Sequence, residues 1–205
     1  EEFNSGLLKP QDELFPKFWK NNSLNAIVAR KLMEIADEII KGLDLGVDVE
    51  DVVITGSIAS YNWHSLSDID LHIMLDFEKI DDNFDLVKRM LDQIRINWNK
   101  KHNILIANKE VEIYFQHHTE PHEANGIWSL TLEKWLAAPV KSNPEIDIKT
   151  TEKKAEAIAQ SIEHLFEIFK KEKYKEARDY AGKIKSKIAK MRQSGLADAG
   201  IYSPE

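Results

Sequence analysis

The sequence predicts an α/β (α+β) protein in which helices cover a β-sheet and a helical hairpin closes the chain. Three observations lead there. Apolar residues recur first at helical spacing, then in short strand-like runs, in the order helix, strand, turn, strand, helix, strands. A proline-bearing linker follows, and beyond it only helical spacing remains. The chain has 205 residues, 42% hydrophobic and 31% charged, enough to bury a sizeable core and unlike a disordered composition. The expected division is a sheet-bearing core with an N-terminal helix over residues 1–140 and a C-terminal helical region over 141–205 packed on it. Strand order stays open at this level.

The elements follow from the pattern in turn. After a polar lead with Pro10 and Pro16, "NNS" at 21–23 offers cap chemistry for a helix whose apolar face runs Val28, Leu32, Ile35, Ala36, Ile39, Leu43, with Gly42 and Gly46 ending it. "DVVIT" at 51–55 reads as a buried strand leading into Gly56-Ser57, with a brief helix expected over Ile58 to Trp63. "LSDIDLHIML" at 66–75 alternates apolar and polar residues as a strand does. Asp81, Asp82 and Asn83 can cap a second helix carrying Phe84, Val87, Leu91, Ile94 and Trp98 on one side. "NILIA" and "KEVEIYFQ" predict a hairpin about Asn108-Lys109, and "IWSLTL" at 127–132 predicts an edge strand. "WLAAPVKSNPEIDIKTT" at 135–151, with Pro139 and Pro144, reads as the linker. Two helices, about 152–172 and 174–194, should pair through Ala155, Ile158, Ala159, Ile162, Leu165, Phe169 and Tyr180, Ile184, Ile188, Met191. No internal repeat or low-complexity tract interrupts this order.

Composition narrows the chemistry. No apolar run approaches the roughly 18 residues needed to span a bilayer, and no charged-then-apolar leader opens the sequence, so a cytoplasmic protein is expected. Without cysteine there is no disulfide and no thiolate zinc site, which leaves carboxylates, carbonyls and imidazoles as metal ligands and favours hard cations. The net charge of −7 is uneven: residues 152–192 hold 12 Lys/Arg against 7 Asp/Glu, leaving 16 against 28 elsewhere. An acidic body with a basic tail argues against strong binding to duplex DNA and allows local phosphate contacts.

Within the alternating strand, Asp68 and Asp70 share a face, their Cα atoms roughly 6 to 7 Å apart, so two like charges converge. Divalent cations relieve that repulsion, and paired hard ions are the usual device for in-line phosphoryl displacement. Glu112 supplies a third carboxylate: it lies mid-strand, where an unpaired charge is costly, whereas Glu110 stands near the strand start. Tyr114 shares its face. Gly56-Ser57 can turn sharply after a buried strand and present backbone N–H groups and a hydroxyl to a phosphate.

A Gly-Ser turn, ten intervening residues, "DID" and a later strand with "VEI" together resemble the DNA polymerase beta-type nucleotidyltransferase superfamily over about residues 24–117, with Glu112 standing where many members have Asp. The chain also resembles small predicted nucleotidyltransferases of large tailed bacteriophages, through "FPKFWKNNSL" at 15–24 and "KMRQSGL" at 190–196. The superfamily resemblance implies a mixed sheet with helices on one face, and transfer of a nucleoside monophosphate from an NTP to a hydroxyl with release of pyrophosphate. It implies that Asp68 and Asp70 bind two Mg²⁺ ions, with Mn²⁺ as an alternative, that Glu112 binds the catalytic ion and assists deprotonation of the acceptor, and that Gly56 and Ser57 hold the outer phosphates. The phage resemblance implies expression in a bacterial cytoplasm. Neither identifies the acceptor, whether protein, RNA or small molecule.

Plainer readings stand beside these. Ser67-Asp68 also suits a strand-start cap, and Gly56-Ser57 an ordinary turn. A catalytically silent nucleotidyltransferase-like protein that binds a partner, as in toxin–antitoxin pairs, is the alternative function, and phosphate-ester hydrolysis at the same carboxylates is a third. His72 continues the aspartate face, either as a phosphate contact or as a satisfied structural donor. "HHTEPH", with His117, His118, His122, Glu120 and nearby Glu123, invites a zinc reading. Adjacent histidines on a strand point to opposite faces, however, so no zinc site is expected there. Lys183, Lys187 and Lys190 form either a solvated helix face or a phosphate contact. Trp63 and His64 either border a nucleotide or pack under the loop before the aspartates.

Overall fold

The computed structural model describes residues 4–122, 124–143 and 145–199. Of the sequence expectations, Glu123, Pro144 and the ends of the expected 1–140 and 141–205 regions at residues 1–3 and 200–205 lie outside the described residues, as does the side chain of Leu196. The chain divides into two compact units, Pro10–Lys141 and a second made of the residues before Pro10 and those from Ser142 onward.

The first unit is built on a mixed six-stranded sheet. It opens with a two-stranded hairpin, β1 (Trp19–Lys20) and β2 (Ser23–Leu24), whose turn residues Asn21 and Asn22 both have left-handed φ values, 52° and 60°. Asparagine tolerates that conformation, so "NNS" makes a hairpin turn and not a helix cap. The cap is Asn25, whose side chain accepts from the Ile27 N–H to start α1 (Ala26–Leu43). Gly42 lies inside this helix, and the chain leaves it through Asp44 at φ 46°. The expected apolar stripe is in place, with Val28, Leu32, Ile35, Ala36 and Ile39 buried.

β3 (Val49–Thr55) runs antiparallel to β4 (Ile69–Leu75). The expected helix between them shrinks to a 3-10 turn, Ser57–Ala59. Asn83 caps α2 (Phe84–Lys101) as predicted, its side chain accepting from the Leu86 N–H. α2 crosses over to β6 (Lys109–His117), which lies parallel to β4. The hairpin into β6 turns at Ala107-Asn108, with φ 51° and 65°, one residue earlier than predicted; β5 is only Leu105–Ile106.

β7 (Ile127–Ser129) is an inner strand, because β8 (Lys134–Ala137), read from sequence as linker, pairs outside it. The resulting order is β5-β6-β4-β3-β7-β8. One side of the sheet is apolar. Ile69, Leu71, Ile73, Leu75, Val111, Ile113, Val52 and Ile54 join the stripes of α1 and α2 in the main core, with Phe18, Trp19 and Trp128. The opposite face carries only a small apolar cluster of Val53, Met74 and Ile127, and the alternation therefore leaves Asp70, His72, Glu112, Tyr114 and Gln116 on that second face.

In the second unit, Asp147 caps α3 (Ile148–Lys170), which packs against α4 (Tyr174–Ala199) as a hairpin through Glu172 at φ 61°. Thr151, Ile168 and Ala177 are buried, whereas Ile162, Phe169 and Ile188, expected in the interface, are exposed, and the Phe169 ring meets Tyr174 edge-on. Lys183, Lys187 and Lys190 are exposed. Among the described residues no helix is long and apolar enough to cross a membrane.

Candidate functional site

Register alone brings the carboxylates together. Asp70, second residue of β4, lies opposite Glu112 in the parallel pair and opposite Thr55 in the antiparallel one, so three adjacent strands present Thr55, Asp70 and Glu112 in one row. Asp68 enters two residues ahead of Asp70, on the same side. One oxygen from each of Asp68, Asp70 and Glu112 lies within 4.8 Å of the others, and all three side chains are half-buried. Glu110 is exposed. Three carboxylates so close are an oxygen-only donor set of the kind hard divalent cations take.

The Gly56-Ser57 turn is joined to this cluster twice. Gly56 has φ 76° and ψ −163°, a conformation essentially confined to glycine, and a Cβ there would overlap the Asp70 carboxylate. Glycine is therefore required both by the backbone and by the close approach of Asp70. Ser57 Oγ donates to Ser67 Oγ at 2.7 Å, and Ser67 Oγ also accepts from the His64 N–H at 2.9 Å. The turn is thus tied to the residue immediately before Asp68.

Lys109, not singled out in the sequence, completes the support. It is only 5% exposed, and its Nζ donates to the carbonyls of His64 at 2.6 Å and Ser65 at 2.9 Å, pinning the loop that delivers Asp68. Burial pushes its ionisation down, and the nearby Asp68 charge opposes that shift. The only sequence signal was a lysine at a strand's first position, which ordinarily reads as solvated. His64 is drawn into the same loop: its Nδ1 accepts from the Leu66 N–H, and burial, then Lys109, push its pKa down. Trp63 packs on the N-terminal segment, its ring 5.0 Å from Phe15 and its Nε1 donating to the Glu13 carbonyl.

Along the same sheet face, Tyr114 donates its hydroxyl to Glu112 Oε2 at 2.8 Å. The ring stacks on His72 at 4.8 Å and has the Arg95 guanidinium 5.0 Å from its centroid. Burial, followed by the charge of Asp70 and the bond to Glu112, pushes the phenol's ionisation far up, so Tyr114 stays a donor at neutral pH. Gln116 Nε2 donates to the Glu120 carbonyl, which turns Oε1 toward His72 Nδ1 at 2.8 Å. His72 therefore donates from Nδ1. Burial holds its pKa down at about 4, against the Gln116 hydrogen bond.

The histidines of "HHTEPH" separate. The His122 ring sits 5.9 Å from His72, while His117 and His118 lie together with Asp76 at the far end of β4 and β6. Comparison of the chain with protein-family models, with curated proteins and with solved structures finds no match.

Proposed function

We propose that this chain is a divalent-metal-dependent nucleotidyltransferase that moves a nucleoside monophosphate from an NTP to an acceptor hydroxyl and releases pyrophosphate. The observation that supports it most is the convergence of Asp68, Asp70 and Glu112 within 4.8 Å, with Gly56 against Asp70. Those are the residues to which the superfamily resemblance assigns metal and phosphate binding.

The donor set suits Mg²⁺, with Mn²⁺ as an equivalent; Asp68 and Asp70 would hold both ions and Glu112 the one beside the acceptor. Bound there, such cations would neutralise charge on the triphosphate and acidify the attacking hydroxyl. The chain's own part is positioning. The acceptor oxygen bonds to the α-phosphorus, the bond from that phosphorus to the oxygen bridging toward the β-phosphate breaks, and the hydroxyl proton passes to Glu112. Tyr114, bonded to Oε2, fixes the orientation of that carboxylate. Gly56-Ser57 would face the outer phosphates. A cytoplasmic setting supplies both NTP and Mg²⁺.

The test is binding and product analysis on the full chain. Calorimetry with each NTP in the presence and absence of Mg²⁺ should show metal-dependent binding, lost in Asp70→Asn and weakened in Gly56→Ala, whose Cβ would displace the Asp70 carboxylate. With α-labelled NTP and candidate acceptors, label on the acceptor together with pyrophosphate supports transfer, whereas free nucleoside monophosphate alone supports hydrolysis. Absence of metal-dependent NTP binding by the parent chain ends the proposal.

A further inference from the structure

A second group of ligand atoms lies at the opposite end of the two parallel strands. Asp76 directly follows β4, and His117 and His118 close and follow β6. One carboxylate oxygen and one nitrogen from each imidazole lie within 4.8 Å of one another. Six residues of extended chain separate Asp76 from Asp70, roughly 20 Å, so this group is distinct from the carboxylate cluster.

Strand alternation argues against two adjacent histidines sharing a site, yet the alternation stops where β6 ends. His117 and His118 have ring centroids 4.5 Å apart. Each ligand is also held by backbone. The His118 N–H donates to the Leu75 carbonyl, Asp76 Oδ1 accepts from the Glu78 N–H, and His117 Nδ1 accepts from the Phe77 N–H at 3.1 Å. His117 is buried among Phe77 and Phe84, while His118 is exposed and opens the group to solvent.

Two imidazoles and one carboxylate are a borderline donor set, suited to a late first-row ion, in contrast to the all-oxygen set of Asp68, Asp70 and Glu112. We propose that Asp76, His117 and His118 bind one Zn²⁺ ion per chain, with water at the remaining coordination position. Two local changes must accompany binding. Lys79 Nζ, 3.6 Å from Asp76 Oδ2, has to give way, and Glu50 Oε1 at 3.0 Å already offers it an alternative partner. The Phe77 N–H must lose its acceptor: an ion on His117 Nδ1 takes the lone pair directly, and an ion on Nε2 sends the ring proton to Nδ1.

This site does not depend on the proposed transferase activity, and its test uses Zn²⁺ alone. The full chain carrying Asp68→Asn and Asp70→Asn, which removes competition from the carboxylate cluster, is titrated with Zn²⁺ by calorimetry. One ion should bind per chain, with affinity reduced roughly tenfold or more by Asp76→Asn or His118→Ala and increased by Lys79→Met. The amide introduced by Asp76→Asn keeps an oxygen for the Glu78 N–H, and His118 is exposed, so neither substitution should unfold the chain. In amide NMR spectra the Phe77 resonance should shift with the same midpoint. Zn²⁺ affinity unchanged in both ligand variants, absence of binding, or a Phe77 amide that does not move overturns the proposal.

Discussion

His72 is a residue whose charge state is decided by the fold. Its pKa falls from 6.5 to about 4, first because burial disfavours the imidazolium and further because His122 and Arg95 add positive charge; the Gln116 hydrogen bond opposes this without reversing it. Between those two values the unfolded chain binds a proton that the folded chain refuses. Stability from this group is therefore complete above about pH 6.5 and is lost as the pH falls toward 4, on the order of 3 kcal/mol over the window. Urea denaturation at pH 4.5 and pH 7 should show a markedly smaller difference for His72→Gln than for the parent; an equal difference would assign the acid sensitivity elsewhere. Arg95, whose Nε is buried with no hydrogen-bond partner among the described residues and lies 3.5 Å from Asp92 Oδ1, belongs to the same environment.

At the scale of elements, the outer side of β6 is closed by a helix where a strand is missing. β5 pairs with it only at Lys109 and Glu110, so the strand carrying Glu112 would otherwise leave its outer backbone groups unpartnered from Val111 onward. The Val111 N–H is taken by the Ile104 carbonyl. At Ile113 the partner is a side chain of α2: Asn99 donates from Nδ2 to the carbonyl at 3.1 Å and accepts from the N–H at 3.0 Å. This two-sided amide stands in for a neighbour strand, one residue beyond Glu112. Asn99→Ala strands both groups and should cost roughly 1–3 kcal/mol, with faster hydrogen exchange at the Ile113 amide. Asn99→Asp keeps the acceptor alone and should fall between the two. Unchanged exchange at Ile113 in the alanine variant would show that water replaces the amide without loss.

For the whole molecule, the division into two compact units locates the weakest stretch of chain. The described residues between β8 and α3, within 138–147, have no regular structure, and Val140 is 68% exposed. Limited proteolysis of the folded chain should cut first within that stretch, releasing a fragment that retains β3, β4 and β6, inner strands of the sheet. A first cut inside those strands, mapped by mass spectrometry, would contradict the division. The charge asymmetry coincides with the same boundary, since the basic stretch 152–192 lies wholly in the helical unit.

Periodicity made the long helices and the central strands legible, because one-sided burial writes a 3.6- or 2-residue repeat into the chain: α1, α2, β3, β4, β6 and the α3–α4 pair could all be read off. The carboxylates of Asp68, Asp70 and Glu112 were legible for the same reason, a charge being conspicuous on a segment otherwise built for burial. Short elements were legible only in part: β5 and β7 fall inside the expected runs "NILIA" and "IWSLTL", whereas β1, β2 and β8 were not read as strands. β8 has four residues, none of them buried, so Pro139 and the polar residues after it outweighed the strand signal, and "NNS" carries turn and cap chemistry equally well. What the sequence determined alone was which residues alternate and where charge interrupts them. Tertiary structure decided the partners, because register between β4 and β6, the support of Lys109, Tyr114 and Asn99, and the meeting of Asp76 with His117 and His118 all depend on contacts between segments far apart in the chain, which no local pattern encodes.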